Sequence, residues 1–369
     1  DIKVAGRDDM TKRRFVGLVL IAAIAFGLWY HLTVYVPRTD AKMNPVNPHP
    51  PHPVFLEAQK LHPTLKIADL HTDTLLWRRY PAKRHDYGHA DIPRLREGGV
   101  NLQVFSAVTK SPRGQNFGAN AADAPDNIKL LAMAQLWPPR TWNSIYERAA
   151  YQAQRLQKLE ANPDNGIKIV RTADDLNTPS GVIATLLLTE GSHPLEGDLA
   201  NINLLYADGF RLMGLQHFFD NELGGSMHGQ SKGGLTDFGR KAVLEMVSQG
   251  IMIDVAHSSE AVVRDVLALT DAPIFISHGG VLSHCPASRD RNLPDDLTKA
   301  IAARGGIIGI GYFQPAICDI SPAGIADAII DAAKVLGVDA VALGSDFDGT
   351  VTTSLDTSEL AAITHALLQ

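Results

Sequence analysis

Ile67-Ala68-Asp69-Leu70-His71-Thr72-Asp73 is a short apolar run that ends in ionisable side chains. His71 and Asp73 are two residues apart, so on a strand both project to the same face. The construction recurs down the chain. Stretches 100–107, 182–189, 211–217, 251–257, 273–278, 307–313 and 341–347 are likewise rich in Val, Ile, Leu and Phe. Amphipathic segments at 141–160, 198–208, 237–249, 259–268, 295–304 and 323–336 separate most of them. Continuous apolar strands alternating with helices argue for a parallel sheet buried on both faces. Eight such units predict a TIM-type (β/α)8 barrel of the α/β class. An open doubly wound sheet fits less well, because no Gly-x-Gly-x-x-Gly follows an early strand. The stretch 109–180 is too long for a simple crossover and predicts an inserted excursion after strand 2.

The strand ends carry the chemistry. Strand three ends in Thr189-Glu190-Gly191, strand four in Gln216-His217, and strand five in Asp254-Val255-Ala256-His257. Strand six ends in Ser277-His278 and strand eight in Ser345-Asp346-Phe347-Asp348-Gly349. In a TIM barrel all carboxyl ends meet at one mouth. His71, Asp73, Glu190, His217, His257, His278 and Asp346 would then converge. A lone strand-end histidine is more often hydrogen-bonded filler than a ligand. Convergence alters that balance, since buried carboxylates and imidazoles without partners are costly and a cation relieves them. Nitrogen and oxygen donors without thiolate suit zinc ahead of manganese, cobalt or iron. Five ligands with one carboxylate free to bridge suggest two ions roughly 3.5–4 Å apart.

Other features exclude or demote alternatives. A net charge of -6 over 369 residues offers no bulk positive field for nucleic acid. No Gly-x-Ser-x-Gly or His-Glu-x-x-His occurs, which disfavours serine-hydrolase and single-zinc protease chemistry. Gly224, Gly225, Gly229, Gly233 and Gly234 spell no phosphate loop and read as a mobile segment. His193, His228 and His284 read as surface or supporting residues. Cys285 and Cys318, the only cysteines, have no zinc-ribbon spacing; in an exported protein they could form one disulfide, and in the cytosol two buried thiols.

Phe15 to Val36 is apolar apart from His31 and Thr33. As a helix it would reach about 33 Å, enough to cross the hydrocarbon core. Lys12, Arg13 and Arg14 precede it, and Trp29, Tyr30 and Tyr35 lie toward its far end, so the amino terminus is expected to point inward. Ala23-Ile24-Ala25 offers a competing signal-cleavage reading. Either way the remainder is exported, to the periplasm or the cell exterior. The expected organisation is a cytoplasmic tail over 1–14, a transmembrane signal anchor over 15–36, a Pro-rich linker over 37–54 and a hydrolase barrel over 55–369. Met10 stands directly before the basic cluster, so residues 1–9 read as preceding the natural start. Six prolines between Pro37 and Pro53 favour extended geometry, with His49 and His52 as solvated spacers.

The segments DLHTDTL, DIPRLREGGV, TEGSHPLEGDL, GLQHFFDN, GLTDFGRKAV, IDVAHSS, FISHGG, RNLPDD and GSDFDG occur in the order seen in membrane dipeptidases, between Ile67 and Gly349. The chain resembles that family. Related amidohydrolases carry His-x-His on strand one, whereas this chain has His-x-Asp. The resemblance implies a zinc-dependent dipeptidase with two Zn2+ per chain and a metal-bridged hydroxide. It implies that His71 and Asp73 bind one zinc, that Glu190 bridges, and that His257 and His278 bind the second. By the same resemblance His217 polarises the scissile carbonyl, Arg291 pairs with the substrate carboxylate, and Asp346 shuttles the proton. Asp290 stands ahead of Arg291, so Arg289 could take that place. Cys285 and Cys318 fall at the family's bridged pair. The family continues beyond the point where this chain stops, so Ser358 to Leu368 reads as part of a closing helix in a truncated barrel. A homodimer is a further expectation. An exported metal hydrolase acting on lactams or other non-peptide amides is the alternative, and a catalytically silent binding protein the third reading.

Overall fold

Leu102 to Val108 runs parallel to Ala184 to Glu190, residue for residue, and this pairing closes the sheet on itself. The computed structural model describes residues 2–369, with side-chain surroundings from Lys12 onward. Most of the expected cytoplasmic tail therefore lies outside the described side chains. Among the described residues nine strands occur: β1 (Ile67–Thr72), β2 (Val100–Val108), β3 (Ile167–Ile169), β4 (Ile183–Glu190), β5 (Phe210–Gly214), β6 (Met252–Asp254), β7 (Ile274–Gly279), β8 (Ile307–Ile310) and β9 (Val341–Leu343). All pairings are parallel, and β1 bonds β2 on one side and β9 on the other. Eight strands thus form a closed TIM-type barrel.

β3 is an addition that the sequence reading missed. It bonds Ile183 to Thr185 of β4, below the stretch Leu187 to Thr189 that bonds β5. Three residues, Ile-Lys-Ile, are too short to announce a period. The excursion after β2 does exist, and holds helices Asn127–Ala134 and Ile145–Glu160 before β3. Serine and threonine caps start the outer helices: Ser144, Thr236, Ser259 and Ser321 each accept a backbone N–H of the first turn.

The expected strands at 211–217, 251–257, 307–313 and 341–347 all run past the observed ladders. The chain leaves the sheet early so that its last side chains can turn into the mouth. His257 and Asp346 make that turn at φ 63° and 61°, a left-handed conformation unusual for residues with a Cβ. Such backbone is concentrated where function constrains it. Along β4, Ala184, Leu186 and Leu188 share a face with Glu190 and cluster with Val104 and Leu212, while Ile183 and Leu187 join the cluster that includes the outer helices.

The segment expected to be an extended linker departs from that expectation. Helix Val36–Met43 continues the apolar amino-terminal helix, with Pro37 in its first turn, where a missing N–H costs nothing. Asp40 and Asn44 are buried against the barrel. His52 Nε2–H donates to the Ser354 carbonyl at 2.9 Å, and His49 lies 3.6 Å from Glu359, so neither is a free spacer. Cys285 and Cys318 form a disulfide with Cα atoms 5.8 Å apart.

Candidate active site

Glu190, at the end of β4, stands at the centre of the mouth. Its Oε1 lies 3.6 Å from His71 Nε2, 3.2 Å from His257 Nε2 and 3.5 Å from His278 Nε2. Its Oε2 lies 3.5 Å from His217 Nε2. On the far side of His71, Asp73 Oδ1 is 3.4 Å and Asp346 Oδ1 4.0 Å from the same Nε2. Seven of the eight residues singled out from sequence therefore form one buried cluster. Three overlapping groups could each hold a cation: His71, Glu190 and His278; Glu190, His217 and His257; His71, Asp73 and Asp346. The second draws in His217, which the resemblance had given to substrate rather than metal.

Hydrogen bonds fix which nitrogen each imidazole presents. Ser277 donates its hydroxyl proton to Asp254 Oδ2 at 2.6 Å. Its lone pairs then accept from His71 Nδ1–H at 3.1 Å and His278 Nδ1–H at 2.9 Å. His217 Nδ1–H donates to the Lys110 carbonyl at 3.0 Å. His228 donates from Nδ1 to the Phe117 carbonyl at 3.0 Å, so its Nε2 accepts from His257 Nδ1–H at 2.9 Å. All four imidazoles thereby direct Nε2 at Glu190. Holding the second nitrogen in this way orients metal-binding histidines generally.

The electrostatics demand positive charge at that face. Burial pushes the Glu190 carboxyl well above the ordinary carboxylate range, and Asp73 pushes it further. Burial likewise lifts Asp346 to about 8, against the pull of His71. Burial would depress His71, but Asp73, Glu190 and Asp346 together raise it to about 10. His217 is lowered to about 4 by burial, and His257 and His278 fall well below the usual histidine value for the same reason. His71 Nε2 and Asp73 Oδ1 are buried without a hydrogen-bond partner. Buried lone pairs facing one another across 3–4 Å repel unless a cation lies between them, so this oxygen and nitrogen donor set fits divalent metal.

Arg291 lies beside the cleft lined by Asp73, Glu190, His217, His257, His278 and Asp346, near enough for its charge to act on Glu190 and Asp346. It is buried, donates from Nη2 to the His278 carbonyl at 2.9 Å, and borders an adjoining depression with Phe117 and the disulfide. Arg289 is exposed. His228, read as a surface or supporting residue, is fully buried against the ligands. His193 is buried too, and His284 pairs with Asp331 at 2.9 Å. The glycine-rich segment after β5 packs closely, since a Cβ at Gly225 would collide with Gly233 and one at Gly229 with Asp220. His49, His52 and Glu359 make a further group, but the two rings stack face to face at 4.0 Å, which suits ring packing better than two lone pairs converging on one ion.

Sequence reasoning did not find a second buried network behind β9. Asp348 pairs with Arg79 at 2.5 Å and accepts from Thr74 at 2.6 Å, and its backbone N–H donates to His89 Nδ1 at 2.9 Å. Arg79 also faces Asp40 at 3.5 Å. Gly88, at φ 71°, leaves the room that the Arg79 guanidinium occupies. The Asp346-Phe347-Asp348-Gly349 run is the signal in the sequence, its second aspartate serving this network and its first the mouth.

Comparison with known proteins agrees with this geometry. An uncharacterized dipeptidase of Schizosaccharomyces pombe is 28% identical over 275 residues, covering 71% of this chain and 61% of that protein. This chain thus spans less than two thirds of that relative's length. Dipeptidase aclJ of Aspergillus oryzae is 29% identical over 327 residues, covering 80% of this chain and 72% of its own. A solved metallopeptidase of family M19, dipeptidase AC, superimposes with a TM-score of 0.65 at 26% identity, over 81% of this chain and 90% of that one. The sequence model of the membrane dipeptidases, peptidase family M19, matches residues 56–369, and the chain belongs to that family.

Proposed function

We propose that the chain is a zinc-dependent dipeptidase that hydrolyses the single peptide bond of a dipeptide. The observation that carries this reading is the position of Glu190, one carboxylate faced by the Nε2 atoms of four histidines. His71 and Asp73 with Glu190 would hold one Zn2+, and Glu190 with His257 and His278 a second. Bound there, two zinc ions would acidify a water toward neutrality and stabilise negative charge on the carbonyl oxygen. His217, its Nδ1 tied to Lys110, presents Nε2 to that oxygen as charge develops. Asp346 takes the proton that the attacking water loses and returns it to the departing amine nitrogen as the C–N bond breaks. Arg291, buried beside His278, pairs with the free carboxylate of the substrate, and so selects dipeptides over internal bonds.

The amino-terminal helix is read as an uncleaved anchor that leaves the barrel outside the cytoplasm. Lys12–Met43 is long and apolar enough to span a membrane, and its most apolar stretch is wholly unburied. Its far end supplies Asp40 and Asn44 to the barrel, which favours retention over removal.

The test of activity compares a free dipeptide, the same dipeptide with an amidated carboxy terminus, and a lactam. Turnover of the first, lost with the second and raised in KM by Arg291→Ala, is expected. Lactam hydrolysis without dipeptide turnover would overturn the reading.

A further inference from the structure

The apolar helix reaches the barrel at its mouth. Asp40 faces Arg79, beyond β1; Asn44 Oδ1 accepts the Thr350 N–H at 2.9 Å, and Asn47 N–H donates to Thr353 at 2.8 Å, both beyond β9. Nearer the membrane, His31 Nε2–H donates to the Ala134 carbonyl at 2.7 Å, in the excursion beyond β2. Every one of these contacts is made by a segment that follows the carboxyl end of a strand: β1, β2 or β9. From His31 to Asp40 the helix rises only about 14 Å. The cleft rim, which includes Ile128 and Thr350, therefore sits close to the plane where the span ends.

The helix that His31 touches is unusual on its outer side. Asn127–Ala134 buries Ile128 and Ala132, yet Leu130 and Met133 on the other side are 48% and 41% exposed, and Leu136 just beyond is 49% exposed. Its single charge, Lys129, is turned aside to Asn143. A short helix that is apolar on both faces has no reason to meet water on one of them. Leu136 adds to this, since it is held at φ 56°, where an exposed turn residue would ordinarily be Asn or Gly. Trp29, Tyr30 and Tyr35, all exposed, lie at the same level of the span, as aromatics do at a bilayer interface.

We infer that Leu130, Met133 and Leu136 form a second membrane contact, dipping into the lipid surface beside the span and holding the mouth of the barrel toward the bilayer. This rests on the reading of the amino-terminal helix as a retained anchor. Its occupant is lipid because the patch continues, through the His31 contact, the surface that the span itself presents to the membrane. Substrate would then enter from the layer of solvent next to the membrane rather than from the bulk.

The full chain can be tested in vesicles of phosphatidylcholine and phosphatidylglycerol. Both native cysteines are bonded to each other, so one added cysteine carries an environment-sensitive fluorophore alone. Probes are placed at Met133, at Ile21 within the span, and at Val338, exposed ahead of β9 at the opposite end of the barrel. Nitroxide lipid should quench the probes at Ile21 and Met133 severalfold more than the probe at Val338. Quenching at Ile21 with Met133 no different from Val338 would leave the anchor and overturn this inference. Absence of quenching at Ile21 would overturn both. Disulfide cross-linking of two chains through unlabelled Met133→Cys, with no quenching there, would overturn it in favour of a second copy of the chain.

Discussion

Two aspartate–serine pairs sit directly behind the cluster around Glu190, built alike and used differently. Asp69 accepts from Ser345 N–H at 2.8 Å and Ser345 Oγ–H at 2.6 Å; Asp254 accepts from Ser277 N–H at 2.9 Å and Ser277 Oγ–H at 2.6 Å. Each serine directly precedes a residue of the mouth, Asp346 in one case and His278 in the other. The lone pairs distinguish them. Ser345 accepts the Phe347 N–H at 3.1 Å and so shapes the turn that carries Asp346. Ser277 accepts from two histidines and so sets their tautomers. One device thus serves backbone shape beside Asp346 and imidazole orientation beside His278. In both pairs the carboxylate is satisfied by donors, whereas Glu190, Asp73 and Asp346 in front of them face one another and the imidazoles. Donors fill the carboxylates behind, as a structural role requires, whereas those in front keep lone pairs that a cation or a proton could take.

The largest expected effect comes from the turn that Ser345 shapes. Asp346→Asn keeps size and removes the proposed proton carrier, so kcat should fall by about 10²–10⁴-fold with KM and metal content nearly unchanged. If turnover stays normal while the melting temperature drops, Asp346 belongs to the fold and not to the chemistry. Next come the serines themselves. Ser277→Ala should weaken metal binding about 10–100-fold, because both His71 and His278 lose the acceptor that holds their proton on Nδ1. Ser345→Ala should leave metal binding in place and cost about 1–3 kcal/mol of stability, from a buried carboxylate losing a donor. Equal loss of metal in the two variants would erase the distinction between the pairs.

A smaller effect should appear on acidification. His89 is lowered from 6.5 to about 4, by burial first, and its Nδ1 must stay unprotonated to accept the Asp348 N–H. The unfolded chain takes up that proton below 6.5 and the folded chain does not, so stability present above 6.5 declines as pH falls toward 4. Thermal melts across this range should show the decline, and His89→Asn should flatten it. An unchanged slope in that variant would assign the acid sensitivity elsewhere.

How much of this was legible in sequence follows from what each residue does locally. His71, Asp73, Glu190, His257 and His278 stand at the ends of apolar runs, where ionisable side chains are conspicuous, and one topological rule brings those ends together. His228 could not be found that way, because a glycine-rich detour carries it back beneath His257. Asp40 and Arg79 were equally hidden, since each lies in a segment whose local character is polar or proline-rich. Pro37 was read as breaking structure, although the first turn of a helix tolerates it. Ser277 and Asp254 were visible in the strand ends, but their role depends on hydrogen-bond direction, which only the assembled geometry supplies.

The central claim is that Glu190 joins two metal groups through one carboxylate, and metal counting tests it most directly. Purified protein, assayed for bound zinc and for dipeptide turnover together, should hold two equivalents per chain at full activity. Glu190→Gln should lose occupancy of both sites in parallel, because a neutral amide can neither bridge two cations nor offset their charge. Full activity with a single equivalent, or a Glu190→Gln protein that keeps one site filled at wild-type affinity, would contradict the account.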